Sequence, residues 1–480
     1  MRVEFVYDTV ARKPQIVSEY LNQIRELFSV EDKALVFMRR RTGRSNMPVR
    51  KYAITNKGHF DMPFFKVIYD AILFKFPSLQ IIINNDLEDR VKPYFISHGP
   101  IKLNYEPRDY QLESATKALQ YGHGVIVLPT SAGKTLTIAL IAATAVAEHN
   151  FSVLILVPNI QLVEQTYNDF IEYGVHSDLI SKWTGNYEYK STKIVIANNQ
   201  ILLSKTQDVS VLNTFHVIVC DEVHKIGTAE KISKLVKGLT AIYKFGFTGS
   251  LPENNFDRWS INRIFGPVIY EKLSVELRQD KFISNVKVVG IEMEYKNIPE
   301  FTRPSMAEPT AGYIEEIEWL HTNGYRNSIM AKLAKKLQTN TLVLVHRIAH
   351  GEFLLEFFKT HTNKQIYFIQ GSVEVEEREK MKQIMEQSTN VVCIAISNIF
   401  STGISIKNLH NIIFASIGKA RIKIIQSIGR SLRLHHTKQI ATIFDIADTC
   451  LTYGFKHFEE RKKVYQSENI PLSLTKLVEI

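Results

Sequence analysis

Cysteine is scarce: Cys220, Cys393 and Cys450 are the three in 480 residues. They lie far apart with no CxxC and no paired Cys/His spacing, which excludes a disulfide framework and a thiolate zinc site and predicts reduced thiols. His435 and His436, adjacent to each other, also lack a ligand partner at metal-binding spacing. Long apolar runs are missing too. The most apolar stretch, around Leu136 to Ala147, is too short to span a bilayer, and the opening MRVEFVYDTVARK has no signal-peptide core, so a cytoplasmic protein is expected. No low-complexity tract or repeat of solenoid period is visible.

The remaining composition is that of a folded protein with a basic surplus. There are 59 Lys and Arg against 49 Asp and Glu, a net charge of +10, which favours a polyanionic partner without naming one. The length calls for two or three domains. From about residue 108 to 450, short β-branched runs alternate with helix-length amphipathic segments, the pattern of parallel sheets covered by helices. One group of strands is GVIVLP, SVLILVP, KIVIAN, HVIVCDE and KFGFTGS; a second is TLVLVH, QIYFIQG, VVCIAIS and NIIFAS. They are continuously apolar, as strands buried on both faces are. The expected organisation is a small N-terminal α/β domain over 1–95, a nucleotide-binding domain over 96–290, a polar, Pro-containing linker or insertion over 291–324, and a second sheet domain over 325–480.

GVIVLPTSAGKTLTIALIAATAVA reads as strand, tight polar loop and apolar helix, the context of a phosphate-binding loop. Thr130 opens the nucleotide-binding turn, and backbone N–H groups of Ser131, Ala132, Gly133, Lys134 and Thr135 are placed to wrap the β-phosphate. Lys134 puts a positive charge on the β and γ oxygens, and Thr135 offers its hydroxyl to Mg²⁺. Leu128 stands where the full pattern has its first glycine. Downstream, HVIVCDEVH ends an apolar strand with Asp221, suited to holding Mg²⁺, and Glu222, suited to activating water, followed by His224.

With these motifs together, the chain resembles the superfamily 2 helicases, which hydrolyse ATP with Mg²⁺ between two tandem RecA-like domains. PTSAGKT, DEVH, FTGS, FSTGISIKNL and QSIGRSLR follow the family's order between about residues 105 and 450. EPRDYQ resembles the adenine-recognising motif, implying that Gln111 bonds the base with Arg108 beside it. VPNIQLVEQ and TLVLVHRIAH resemble motifs that run beside the nucleic-acid backbone. Thr248, Gly249 and Ser250 resemble the turn that couples phosphate state to the nucleic acid. Ser401, Thr402 and Gly403 resemble donors to a nucleic-acid phosphate or to the nucleotide. In QSIGRSLR, opened by Gln426, Arg430 and Arg433 share one helical face and resemble arginine fingers that reach the γ-phosphate across a domain cleft. LPTSAGKT, FSTGISIKNLHNIIFA, GYRNSIMAKLA and the N-terminal VRKYAITNKGHFDMPFFKVIYDAILFKFP narrow the resemblance to the UvsW-type helicases of tailed phages. That implies remodelling of branched DNA during replication, recombination and repair, in company with other proteins of those processes.

Between Asp32 and Asp61 no acidic residue occurs, while Lys33, Arg39, Arg40, Arg41, Arg44, Arg50, Lys51 and Lys57 do. With Gly43 and Pro48 embedded, the strip reads as a loop or hairpin able to lie on DNA phosphates. Phe60, Phe64, Phe65 and Tyr69 have the spacing of a helix packing into a core. Trp183, Tyr187 and Tyr189 read as a loop of the first sheet domain, either a plain surface loop or a stacking contact for the nucleic acid. An RNA helicase, the motor subunit of a restriction complex and a scaffold with a dead ATP site remain as rivals; the last is disfavoured because Lys134, Asp221, Glu222, Arg430 and Arg433 are all present.

Overall fold

The computed structural model describes residues 2–43, 45–91, 96–203, 209–303, 310–370, 375–397, 406–416, 424, 428–429 and 434–479. It divides into two units, Met1–Leu128 with Gly133–Lys272, and Pro129–Ala132 with Leu273–Ile480. None of the described helices is long and apolar enough to cross a membrane.

The first unit begins with a small mixed body. Strands β1 (Arg2–Asp8), β2 (Lys13–Val17) and β5 (Gln80–Ile83) form a sheet in the order β2-β1-β5, with β1 antiparallel to β2 and parallel to β5. A separate antiparallel pair joins β3 (Ser29–Glu31) to β4 (Arg50–Tyr52). The period of two turns Val3 and Phe5 inward, where Phe60, Phe64 and Phe65 fill the core with Tyr69 partly buried against it, as expected of an aromatic run at helical spacing, and Phe28 joins them.

That core does not close on itself. Phe28 lies 5.4 Å from Phe64 and 5.6 Å from Trp259, ring centre to ring centre, and Trp259 belongs to the helix Asn255–Phe265, beside the larger sheet of the same unit. Beside it, buried Asp61 pairs with Arg263 at 2.5 Å and Lys237 at 2.7 Å. Burial works against the Asp61 charge, but Arg263 and Lys237 outweigh it and hold the carboxyl below the usual carboxylate range. Asp61→Asn leaves both cations short of a partner and should cost roughly 2–3 kcal/mol, since the cations are partly solvated. Because the folded carboxyl titrates below its unfolded value, this stabilisation is complete above the ordinary carboxylate value and lost as pH falls through the folded one. Thermal melts of both proteins should therefore differ at neutral pH and converge under acid; equal melts at pH 7 would refute the clamp.

The larger sheet of this unit comprises β6 (His123–Val127), β7 (Val153–Val157), β8 (Ile180–Trp183), β9 (Ile194–Asn198), β10 (Val217–Cys220), β11 (Tyr243–Thr248) and β12 (Val268–Glu271). Its order is β12-β6-β11-β10-β7-β9-β8, parallel throughout. Every residue of β7, β9 and β10 is buried, which is why these strands read as unbroken apolar runs. Gly246 in β11 permits close packing: a Cβ there would lie 2.9 Å from Val223 and 3.2 Å from Phe265. Trp183 corrects the expectation of a surface loop. It ends β8, is fully buried in the core and meets Tyr189 at 5.2 Å; the turn begins only at Thr184.

The second unit holds another seven-stranded parallel sheet of β13 (Asn285–Glu294), β14 (Thr341–Val345), β15 (Ile366–Ile369), β16 (Val392–Ile396), β17 (Asn411–Phe414), β18 (Ile440–Ala447) and β19 (Leu472–Val478). Its order is β15-β16-β14-β17-β18-β13-β19. β13 thus belongs to this sheet, although a boundary was expected at residue 290. The supposed linker over 291–324 contains the end of β13 and the helix Ala311–Thr322. Buried Arg326, on the helix Gly324–Lys336, grips Asp448 through Nε–Oδ1 at 2.8 Å and Nη2–Oδ2 at 3.1 Å, and donates to the Ala415 carbonyl. It thereby fixes the segments that follow β17 and β18.

Candidate nucleotide site and nucleic-acid surface

After β6 the chain turns through Thr130, Ser131, Ala132 and Gly133 into the helix Lys134–His149. Ser131 and Gly133 both adopt the left-handed conformation, at φ +73° and +77°. Left-handed residues set among right-handed ones turn successive N–H groups to one side, and a helix N-terminus adds its partial positive charge, so the loop is a cradle for an anion. Gln111 braces it: Nε2 donates to the Gly133 carbonyl at 3.3 Å while Oε1 accepts the Arg108 N–H at 2.9 Å. Arg108 in turn reaches the Tyr110 hydroxyl at 3.1 Å. Gln111 and Arg108 are thus tied to the loop. Thr135 sits in the first turn of the helix, half-buried.

Lys134 and the acidic pair meet beneath this loop. Lys134 Nζ lies 3.8 Å from Glu222 Oε1 and 3.5 Å from the Leu128 carbonyl. Glu222 follows β10 at φ +52°, an uncommon conformation for a residue with a side chain and of the kind that functional sites retain. Asp221 accepts the Glu222 N–H at 2.8 Å. Burial, together with the neighbouring Glu222 charge, pushes the Asp221 carboxyl up to about 6.

His224 extends the chain of contacts. Its Nδ1 lies 3.2 Å from Glu222 Oε2 and 2.9 Å from Thr248 Oγ1, and Thr248 in turn donates to the Ser250 carbonyl at 2.8 Å. Burial lowers the imidazole's basicity more than the Glu222 charge raises it, so His224 is neutral near pH 7 and this contact is a hydrogen bond rather than an ion pair. With the proton on Nδ1, one N–H serves both acceptors. The end of β10 is thereby connected to the end of β11 through Glu222, His224 and Thr248.

The basic strip folds differently from the expected loop or hairpin. Lys33 to Thr42 form a helix, with Asp32 Oδ1 accepting the Leu35 N–H at 3.3 Å at its start and Gly43 at φ +65° just past its end. The breakers Gly43 and Pro48 fall beyond the helix rather than within it. Acidic residues from outside the strip also fold against it: Arg50 meets Glu26 at 3.4 Å and bonds Ser29, and Lys51 pairs with Asp32. Arg39, Arg40, Arg41 and Lys57 are exposed. Arg44, Ser401, Thr402, Gly403, Gln426, Arg430 and Arg433 lie outside the described residues.

Comparison with known proteins accords with this geometry. Residues 104–253 match the family model described as type III restriction enzyme, res subunit, and residues 325–435 match the helicase conserved C-terminal domain. The ATP-dependent DNA helicase UvsW of Enterobacteria phage T4 is 30% identical over 388 residues, 76% of each chain. The chain belongs to the UvsW family of ATP-dependent DNA helicases. Similarity also extends to the DNA 3'-5' translocase XPB2 of Sulfurisphaera tokodaii, 28% identical over 48% of this chain and 50% of that one. Dbp5 of S. cerevisiae, solved bound to RNA and ADP BeF3, superposes with a TM-score of 0.55 at 14% identity, covering 78% of this helicase and 90% of Dbp5. That likeness speaks for the fold alone. As a helicase of this family, the protein uses ATP and works on nucleic acid.

Proposed function

We propose that this helicase remodels branched DNA, regressing forks, migrating junctions and unwinding hybrid loops at the expense of ATP. The observation that carries the reading is the arginine-bearing N-terminal body locked onto the nucleotide-binding sheet through Trp259 and Asp61. A body held rigidly against a motor can keep one duplex arm at a fixed angle to the strand being pulled. The phage T4 relative is a DNA helicase, which supports DNA as the track.

In the nucleotide site, Lys134 and the loop from Thr130 to Gly133 bind the phosphates, Gln111 with Arg108 serves the base, and Glu222 takes the proton of the attacking water. Thr135 and Asp221 would hold Mg²⁺, which neutralises phosphate charge when bound. The residues fit it: a hydroxyl and a carboxylate whose ionisation is unfavourable without a cation are what a hard divalent ion selects. Arg430 and Arg433 supply charge to the transition state, and Gln426 and Gly403 contact the nucleotide. His224 transmits the state of Glu222 to Thr248.

Because the Asp221 carboxyl titrates near 6 when folded against about 4 unfolded, its charge opposes folding at neutral pH. Asp221→Asn should therefore stabilise the metal-free protein, by on the order of 2 kcal/mol at pH 7.5. The gain should shrink as pH falls through 6 and vanish below about 4, where the wild-type residue is protonated in both states. Chelator-treated melts across that range test the assignment, and a destabilised Asp221→Asn protein at pH 7.5 would count against it.

The reading as a whole is tested by binding to a four-way junction and to linear duplex. Clear preference for the junction is expected. A restriction-type motor, the reading favoured by the res-subunit match, would instead translocate on plain duplex without regard to branches.

A further inference from the structure

Phe37 is an aromatic ring left in solvent on a helix full of arginines. It is 63% exposed, and Met38 beside it 49%. Arg40 and Arg41 lie three and four positions further along the helix, on the same face as Phe37, and both are exposed. Single exposed apolar residues are ordinary on protein surfaces. Phe74, more exposed still at 88%, shows the ordinary case: its helix, Phe65–Lys75, pairs Lys66 with Asp70 and ends on the single cation Lys75. The Phe37 helix has no acidic residue of its own, and its last turn is Arg39, Arg40 and Arg41. The partner such a face fits presents flat apolar rings bordered by closely spaced negative charges. Unpaired or end-exposed nucleobases flanked by phosphates have that chemistry. Anchoring is also provided, since the body carrying this helix is clamped to the motor by Asp61 and Trp259.

We propose that Phe37 stacks on the base pair laid open at a DNA branch point while Arg40 and Arg41 hold the flanking phosphates. The proposal rests on the branched-DNA reading above and makes it specific. Stacking on a terminal pair costs the DNA nothing where the helix already ends, whereas entering an intact duplex requires unstacking two pairs. The site therefore favours branches over continuous duplex without reading sequence.

The test uses the full chain, a fork carrying 2-aminopurine at the branch pair, a linear duplex of equal length, and anionic phospholipid vesicles. Phe37→Ala should bind the fork roughly tenfold more weakly, as for loss of one base–aromatic stack, and lose the 2-aminopurine response, with its salt dependence unchanged. Phe37→Trp should restore both. Arg40→Ala combined with Arg41→Ala should instead flatten the slope of log affinity against log salt by about 2. Thermal melts coincident with wild type report that each variant is folded. Wild type that favours the fork while Phe37→Ala keeps that affinity and response overturns the stacking site alone. Wild type that binds fork and duplex equally overturns the branched-DNA reading and this site with it. A Phe37-dependent binding to vesicles, with fork binding unaffected, would reassign the face to an anionic membrane.

Discussion

Glu222→Gln should retain ATP and lose turnover by ~10²–10⁴-fold, the range over which a positioned general base contributes. The amide fills the same space and still accepts the His224 N–H, so the left-handed turn and its link to Thr248 survive while the proton acceptor is gone. Lys134→Ala should fail for a different reason. Without the ammonium 3.8 Å from Glu222, the carboxylates stand uncompensated and phosphate meets no cation in the loop, so ATP affinity itself should fall by about ten- to a hundredfold. Equilibrium binding of a fluorescent ATP analogue beside phosphate-release kinetics separates the two. Near-wild-type hydrolysis by either variant, or equal loss of binding in both, would mean that the roles are assigned wrongly.

Arg430→Ala and Arg433→Ala should leave ATP binding nearly intact while depressing nucleic-acid-stimulated hydrolysis by ~10³-fold or more, as for other arginine fingers. A guanidinium that meets charge developing on the γ-phosphoryl group acts on the transition state, so its loss lowers kcat with little change in KM. Lysine should not rescue either position, because a point charge lacks the planar fork that spans two oxygens. ATP affinity falling in step with turnover would make these residues ground-state binders, and the coupling of hydrolysis to the second domain would have to come from elsewhere.

The candidate site could be picked out because the chemistry proposed for it asks for particular residues at particular places, Lys134 after a glycine turn and Asp221 with Glu222 at the end of a buried strand, and the fold brings Lys134 and Glu222 within 3.8 Å. The same burial made β6, β7, β9, β10 and β11, and β14, β16 and β17, visible as continuous apolar runs, while the edge strand β15 gave a run although only Ile369 in it is buried. Strands near the sheet margins gave weaker signals. β19 is largely exposed, and β13 alternates buried and exposed residues over its first half, so neither produces a run. The misplaced boundary at residue 290 follows from that. In the basic strip, the breakers Gly43 and Pro48 suggested a loop, but a helix of ten residues fits wholly in front of them. Contacts between distant segments had no local signature: Asp61 clamping Lys237 and Arg263, Glu26 and Asp32 neutralising part of the strip, and Trp259 completing a core begun by Phe28. Phe37 was unremarked for the same reason, since its exposure depends on what fails to pack over it.

The clamp changes how the role of the N-terminal body is best examined. Deleting residues 1–95 would uncover Trp259 and strand Arg263 and Lys237, so loss of activity in such a truncation would report damage to the motor. Intact protein on a panel of substrates avoids this. The decisive measurement is ATP-dependent strand exchange by the full chain on forks, four-way junctions, hybrid loops and linear duplexes of matched length, side by side. Branched substrates and hybrid loops should be processed well above linear duplex, with no product from Glu222→Gln. Equal processing of all four, or product formed by Glu222→Gln, would contradict an ATP-driven remodeller of branched DNA.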